Sequence, residues 1–181
     1  MTGTEDRICE ALLDLMEEQP LRTIKVTKLA ERAGVSRSTF YMYFDSLDDV
    51  VTRLEDKFFQ IMPEIEDVPD PYRISEDQAR AYIATLGRQL RTFQLFTGPN
   101  GDPAFEARLE ERDRRSLEAT SSQRYKDAHA AELDAVHEFI HGGKMRVARW
   151  WAVHHDDISL RDFSAVILRL VQACVRVTKT R

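Results

Sequence analysis

Arg37, Ser38 and Thr39 stand together, with Tyr41 and Tyr43 just after them. A guanidinium at the start of a helix is a bidentate donor for O6 and N7 of a guanine. The neighbouring hydroxyls suit base edges or phosphates, and the two phenols suit backbone oxygens. This is nucleic-acid chemistry. A second set offers different chemistry: His137-Glu138-Phe139-Ile140-His141 fits H-E-x-x-H. In zinc proteases of that pattern the two His bind the metal and the Glu activates water. A third ligand is needed. The extended form of the motif would place Gly at 144 and His at 147, where this chain has Lys144 and Val147, and no Glu follows Glu138. A looser metal set would draw on His129, His137 or His141. The bland reading, that these His line a polar seam or a pocket wall, is the one carried forward, with no catalytic residue, metal or cofactor.

The elements that must position these residues are helical almost throughout. Ile8, Ala11, Leu12, Leu15 and Met16 recur at i, i+3, i+4, i+7 and i+8, one apolar stripe, which Pro20 ends. A short helix over 27–33 follows, with Thr27 as N-cap and Leu29, Ala30 and Ala33 on its buried face. Gly34 supplies the left-handed residue of a tight turn at Gly34-Val35-Ser36. Ser36 caps a third helix, 37–43, in which Phe40 and Phe44 pack inward. Ser46-Leu47-Asp48-Asp49 reads as a capping box for a fourth helix carrying Val50, Val51, Leu54, Phe58 and Ile61. Two short helices joined in this way form a helix-turn-helix, whose second helix enters the major groove by its amino-terminal end. Thr27, at the start of the first, offers a hydroxyl and helix N–H groups to a phosphate. Lys25 and Lys28 are further phosphate neighbours.

Residues 63–74, with Pro63, Pro69 and Pro71 among acids, form the best linker. Ser75-Glu76-Asp77-Gln78 opens a helix carrying Ala79, Tyr82, Ile83, Leu86, Leu90 and Phe93. Gly98-Pro99-Asn100-Gly101 breaks the chain. Asp102-Pro103 starts the next helix, and Thr120-Ser121-Ser122 reads as a kink or short loop. A long helix then carries Leu133 to Trp150 and stops near His154-His155-Asp156-Asp157. Ser159-Leu160-Arg161-Asp162 caps the last, with Phe163, Val166, Ile167, Leu170, Val171, Cys174 and Val175. No strand and no repeat is evident, so the fold class is all-α.

The 181 residues carry a net charge of −5, which taken whole points away from nucleic acid. Resolved along the chain, the balance differs. Residues 22–44 hold Arg22, Lys25, Lys28, Arg32 and Arg37 against Glu31 alone, about +4, leaving about −9 elsewhere. A polyanion responds to local charge, within a Debye length of roughly 8–10 Å. The polar, acidic start Met1–Asp6 and the lack of any apolar run near 18 residues argue against a secretory signal or a membrane span. Cys9 and Cys174 form no spaced motif and read as reduced thiols of a cytoplasmic protein.

Residues 23–44 resemble the amino-terminal signature of TetR-type transcriptional regulators, with Ala33-Gly34-Val35-Ser36, Thr39-Phe40-Tyr41 and Phe44-Asp45-Ser46 in order and at the family's spacing. The resemblance extends from the first helix through Val51. It implies a DNA-binding domain over 1–45, a connecting helix over 46–62, the linker 63–74, and a helical effector-binding and dimerisation domain over 75–181. It further implies a cytoplasmic homodimer, paired through its last two helices, that binds a palindromic double-stranded operator and is commonly a repressor released by a small-molecule effector. The DNA-binding residues carried over are Thr27, Lys28, Ser36, Arg37, Ser38, Thr39, Tyr41 and Tyr43, and Met42 aligns with a groove-facing position. In such proteins the pocket lies between helices of the second domain, where Tyr82, Leu86, Phe93, Phe105, Tyr125, Phe139 and Trp150 are candidates. Phe139-Ile140-His141-Gly142-Gly143 with Trp150 is similar to one subgroup of these regulators. Each Gly there costs roughly 1 kcal/mol of helix propensity, which close approach of another helix or room for a ligand would offset.

Two alternatives stay open at this point: a helical protein-interaction module with weak DNA binding, and a metal-dependent hydrolase using the 137–141 segment. One departure from the family bears on the first. Family members usually carry a phosphate-binding Lys where this chain has Leu47, here amid Asp45, Asp48 and Asp49. The expected consequence is a salt dependence of DNA binding shallower than a typical relative's by about one phosphate unit. The slope of log affinity against log salt measures it, and a slope equal to that of a Lys-bearing relative would contradict it.

Overall fold

A computed structural model of the chain describes residues 3–61, 75–124 and 130–177. Every regular element among them is helical: α1 (Thr4–Glu18), a 3-10 turn (Leu21–Thr23), α2 (Val26–Arg32), α3 (Arg37–Tyr41), α4 (Leu47–Ile61), α5 (Glu76–Arg88), α6 (Leu90–Thr97), α7 (Pro103–Arg124), α8 (Ala130–His154) and α9 (Leu160–Val177). None is long and apolar enough to cross a membrane. The expected linker 63–74 lies outside the described residues.

The chain forms two compact units. The first joins Met1–Ile61 to Arg91–Glu106, and the second joins Met62–Leu90 to Ala107–Arg181. The stretch 91–106 therefore belongs with the amino-terminal unit, although the sequence suggests one segment from 75 onward. A helix running unbroken through Leu90 and Phe93 is also not what forms. The chain breaks at Gln89 (φ −106°, ψ 15°), whose N–H donates to Leu86 O at 3.0 Å. The apolar series 79–93 hides this break because both helices bury residues at similar spacing, but against different cores.

In the first unit α1 lies against α2 and α4, with Ile8, Leu12, Leu15 and Met16 fully buried. Arg53 and Lys57 of α4 reach Glu5 and Asp6 at 2.5 and 2.8 Å. The Lys57 ammonium holds the Asp6 carboxyl below its ordinary range. From α6, Arg91 donates to Glu10, Asp14 and Glu17, at 3.0, 2.5 and 2.8 Å. Phe58 meets Phe93 and Phe105 at ring separations of 6.5 and 5.1 Å, and Phe96 meets Phe105 at 5.1 Å. The loop after α6 is tied in as well: the Asn100 amide donates to Met16 O at 3.1 Å, and Leu21 N–H donates to Asn100 O at 2.9 Å. Burial pushes the Cys9 thiol up to about 11, so Cys9 is an inert core residue.

In the second unit α5 packs on α9, and α8 on α9. Ile83, Trp151 and Phe163 form the core, with the Trp151 and Phe163 rings stacked at 5.0 Å. A Cβ on Gly87 would lie 3.4 Å from the Trp151 ring, an ordinary contact distance. The capping box at Ser75 and Gln78 is complete. Asp102, in the first unit, caps the start of α7 through Ala104 N–H at 2.9 Å. Ser159 accepts from Asp162 N–H at 3.1 Å, but the Asp162 carboxylate turns to the Ser159 hydroxyl, so only half of that box forms.

Two further expectations fail. No kink or loop forms at Thr120-Ser121-Ser122, because α7 continues to Arg124. Ser and Thr are modest helix formers and, unlike Gly or Pro, do not stop a helix by themselves. Helix α3 ends at Tyr41 rather than 43, where Met42 and Tyr43 N–H groups donate three residues back to Thr39 and Phe40. Among the described residues no close approach offsets Gly142 and Gly143, since a Cβ on either meets nothing within 4 Å.

The turn between α2 and α3 depends on Gly34, at φ +65°. Its N–H donates to Glu31 O at 3.0 Å, and Val35 N–H donates to Ala30 O at 2.9 Å, the paired bonds of a Schellman motif. Gly34→Ala is therefore expected to cost roughly 1–2 kcal/mol through the left-handed backbone, although the Cβ itself meets no neighbour. A urea melt measures this, and an unchanged midpoint would refute the role of the turn.

Candidate nucleic-acid interface

Helix α3 is five residues long and cannot be stable by itself. Two devices hold it. Ser36 caps it, its Oγ accepting from Thr39 N–H at 3.0 Å. Phe40 is 0% exposed and Phe44 7%, their rings 6.0 Å apart, which anchors the far side. Burying one such ring contributes about 1.5–3 kcal/mol. With 40 and 44 turned in, residues 37, 38, 41, 42 and 43 face out. Tyr41 and Tyr43 are 47% and 49% exposed, so both phenols reach solvent rather than the core. Thr39 is half-buried. The hydroxyls of Ser38 and Thr39 each lie 2.8 Å from Ser36 Oγ, so a base or phosphate must compete with that cluster.

Thr27 is exposed, but it does not cap α2. The helix starts one residue earlier, with Lys25 extended at the N-cap position and its carbonyl accepting from Leu29 N–H at 3.0 Å. Thr27 thus sits inside the first turn and does not close the helix end. Lys28 donates to Gln19 at 2.7 Å and lies 4.0 Å from Glu18; Arg32 bonds Glu18 at 2.6 Å. These two cations are tied to the end of α1. Arg22, Lys25 and Arg37 are exposed and pair with no carboxylate among the described residues. The positive charge available to a polyanion is therefore concentrated on those three.

Met42 is 80% exposed between the two tyrosines. The sequence signal for that was the Phe40/Phe44 spacing, which leaves everything between them outside. At the start of α4 the Asp49 carboxylate accepts from the N–H groups of Asp45 and Ser46, both at 2.9 Å, while Ser46 Oγ accepts from Asp49 N–H at 3.1 Å. A carboxylate already occupies those donors beside Leu47.

The model of the family described as "Bacterial regulatory proteins, tetR family" matches residues 8–54. That span runs from the first fully buried residue of α1 into α4, and contains the whole turn, its cap and α3. The amino-terminal domain belongs to the TetR family. Over 44 residues this TetR-type domain is 48% identical to the HTH-type transcriptional regulator EthR of Mycobacterium tuberculosis, a match covering 24% of the chain and 20% of EthR. Among solved structures, a TetR transcriptional regulator from Streptococcus agalactiae 2603V superposes with TM-score 0.65 at 20% identity, covering 93% of each chain. The transcriptional regulator FadR from Bacillus subtilis, solved in complex with stearoyl-CoA, gives 0.60 at 16%, covering 93% of this chain and 97% of that one. These likenesses show the all-α fold that TetR regulators share.

The H-E-x-x-H segment lies on α8. His137 and His141 are buried, their rings stacked face to face at 6.0 Å rather than converging on a point. Glu138 faces outward to Arg114 at 3.3 Å. Among the described residues no group of three His, Cys, Asp or Glu is placed to hold a metal. The candidate pocket residues are dispersed. Phe93 and Phe105 belong to the aromatic core of the first unit, and Leu86 is buried in the second. Phe139 and Trp150 are 71% and 46% exposed, Trp150 stacking on His154. Tyr125 and the side chain of Tyr82 lie outside the described residues.

Removing the cap separates scaffold from readout. Ser36→Ala is expected to cost about 1 kcal/mol of stability. Affinity for operator and for unrelated DNA should fall together in a binding titration, because the whole helix loosens. Loss confined to the operator would mean that Ser36 reads a base.

Proposed function

We propose that the chain is a ligand-responsive transcriptional repressor that binds a palindromic operator as a homodimer, reading the major groove with α3. The observation that carries this reading is the outward set on α3 and its following turn, Arg37, Ser38, Tyr41, Met42 and Tyr43, held by the buried Phe40 and ringed by exposed cations. Arg37 reads a guanine, Ser38 and Thr39 contact base edges or phosphates, and Tyr41, Tyr43, Thr27 and Lys28 contact the backbone. Lys28 must exchange its Gln19 bond for a phosphate to do so, a small cost for an exposed side chain.

Dimerisation is supported by large apolar side chains left exposed on the last two helices: Phe139, Trp150 and Val153 on α8, and Leu170 on α9. Two copies would present their α3 helices about one turn of DNA apart, roughly 34–36 Å. An effector bound in the second domain would lower affinity if it favoured a wrongly spaced pair. The solved FadR–stearoyl-CoA complex is a precedent for a ligand in this fold.

Selection of bound sequences from random or genomic DNA at stated salt tests the reading, with a two-fold symmetric motif expected. No enrichment would favour the helical interaction module instead. On the selected site, Arg37→Ala is expected to cost roughly 1–3 kcal/mol and relax preference at one base pair. Unchanged affinity in a gel-shift titration would remove Arg37 from the readout.

A further inference from the structure

Folded proteins bury most of their methionines, and Met16 and Met145 follow that habit. Met42 is the exception among the described residues, at 80% exposed, and Met1 and Met62 lie outside them. The cysteine sulfurs are less open, Cys9 being buried and Cys174 half-buried. The most accessible sulfur among the described residues therefore stands on the outward face around α3, between the exposed phenols of Tyr41 and Tyr43. Its backbone is held in place. Met42 is the C-cap residue of α3, and its N–H donates to Thr39 O at 3.2 Å. Its side chain takes little part in the core, so a change in that side chain's polarity leaves the unit folded.

We propose that Met42 is a modification site, where oxidation of the thioether by a hydroperoxide weakens DNA binding by α3. The inference rests on the reading of α3 above. It adds a regulation that acts on the interface itself and needs no effector in the second unit. The step is a two-electron oxygen transfer. The sulfur lone pair attacks the terminal peroxide oxygen, an S–O bond forms and the O–O bond breaks. The proton on that oxygen passes to the departing oxygen, which leaves as an alcohol, or as water when the oxidant is hydrogen peroxide. Sulfur is oxidised to the sulfoxide and the peroxide is reduced. What changes is the chemistry offered to the groove. A thioether is apolar and polarizable, and the apolar group that the major groove displays is the thymine methyl. A sulfoxide carries a strong acceptor oxygen. Water satisfies that oxygen while α3 is free, and docking removes the water beside phosphates and base acceptors. Oxidation thus favours the free protein over the complex. The same contact shields the sulfur, so a DNA-bound copy is oxidised more slowly than a free one.

The test uses the full chain with Cys174→Ser, so that only the buried Cys9 remains, and hydrogen peroxide as the oxidant. Peptide mass spectrometry should find Met42 oxidised before Met16 and Met145, and excess operator should slow its oxidation. Affinity for the selected operator should fall about tenfold once Met42 is oxidised, with the midpoint of a urea melt unchanged. Treatment with the two methionine sulfoxide reductases, one for each sulfoxide epimer, should restore it. Met42→Leu, compared with its own untreated affinity, should lose nothing on the same exposure to peroxide. Unchanged operator affinity after full oxidation of Met42 overturns the proposal, and so does an equal loss in Met42→Leu. Oxidation that operator does not slow places Met42 outside the contact and overturns it too. Each of these outcomes leaves the operator reading standing. Untreated protein that enriches no sequence ends that reading, and this inference with it.

Discussion

The amino-terminal unit depends on how α1 is enclosed. Ile8, Leu12, Leu15 and Met16 are each wholly buried, and each contributes about 1.5–3 kcal/mol. Around that apolar stripe α1 carries a rim of acids, each facing a cation on another element. Glu5 and Asp6 meet α4, Glu10, Asp14 and Glu17 meet Arg91 at the head of α6, and Glu18 meets Arg32 of α2. Exposed pairs of this kind are worth only about 0–1 kcal/mol each. Burial therefore supplies most of the stability, and the rim selects the register in which three helices lie on the fourth.

That rim also shapes the charge left exposed on the helix-turn-helix. The +4 window of residues 22–44 suggests a diffuse basic patch. Folding draws Arg32 and Lys28 toward the end of α1 and leaves Arg22, Lys25 and Arg37 outward. The net charge of the whole chain therefore does not describe the charge around α3. The Asp49 carboxylate, sitting on the N–H groups of Asp45 and Ser46, adds negative charge at the start of α4.

The parts legible in sequence were those decided by neighbours a few residues away. Gly34, Ser36, the Phe40/Phe44 pair and the Ser75 capping box each act within one turn of chain, and each forms as its residue types dictate. The errors came where a distant contact decided the outcome. The Gln89 break divides a continuous apolar pattern between two cores. Phe93 and Phe105 read as pocket candidates because an aromatic spacing does not say which core it will join. The start of α2 is a local exception: Lys25 O, rather than the Thr27 side chain, accepts the first helical bond, from Leu29 N–H.

By itself, then, the sequence determined the helical class, the helix-turn-helix and its family, because periodicity, a left-handed glycine and a capping serine act locally. Tertiary structure decided which cations remain exposed around α3, which helices share a core, and which face of α8 stays exposed among the described residues. Those outcomes depend on side chains brought to groups more than 80 positions away, as in the Arg91–Glu10 and Asn100–Met16 bonds. No spacing rule along one chain encodes a distance of that kind. It is set by packing, which chooses among the many pairings that composition alone would permit.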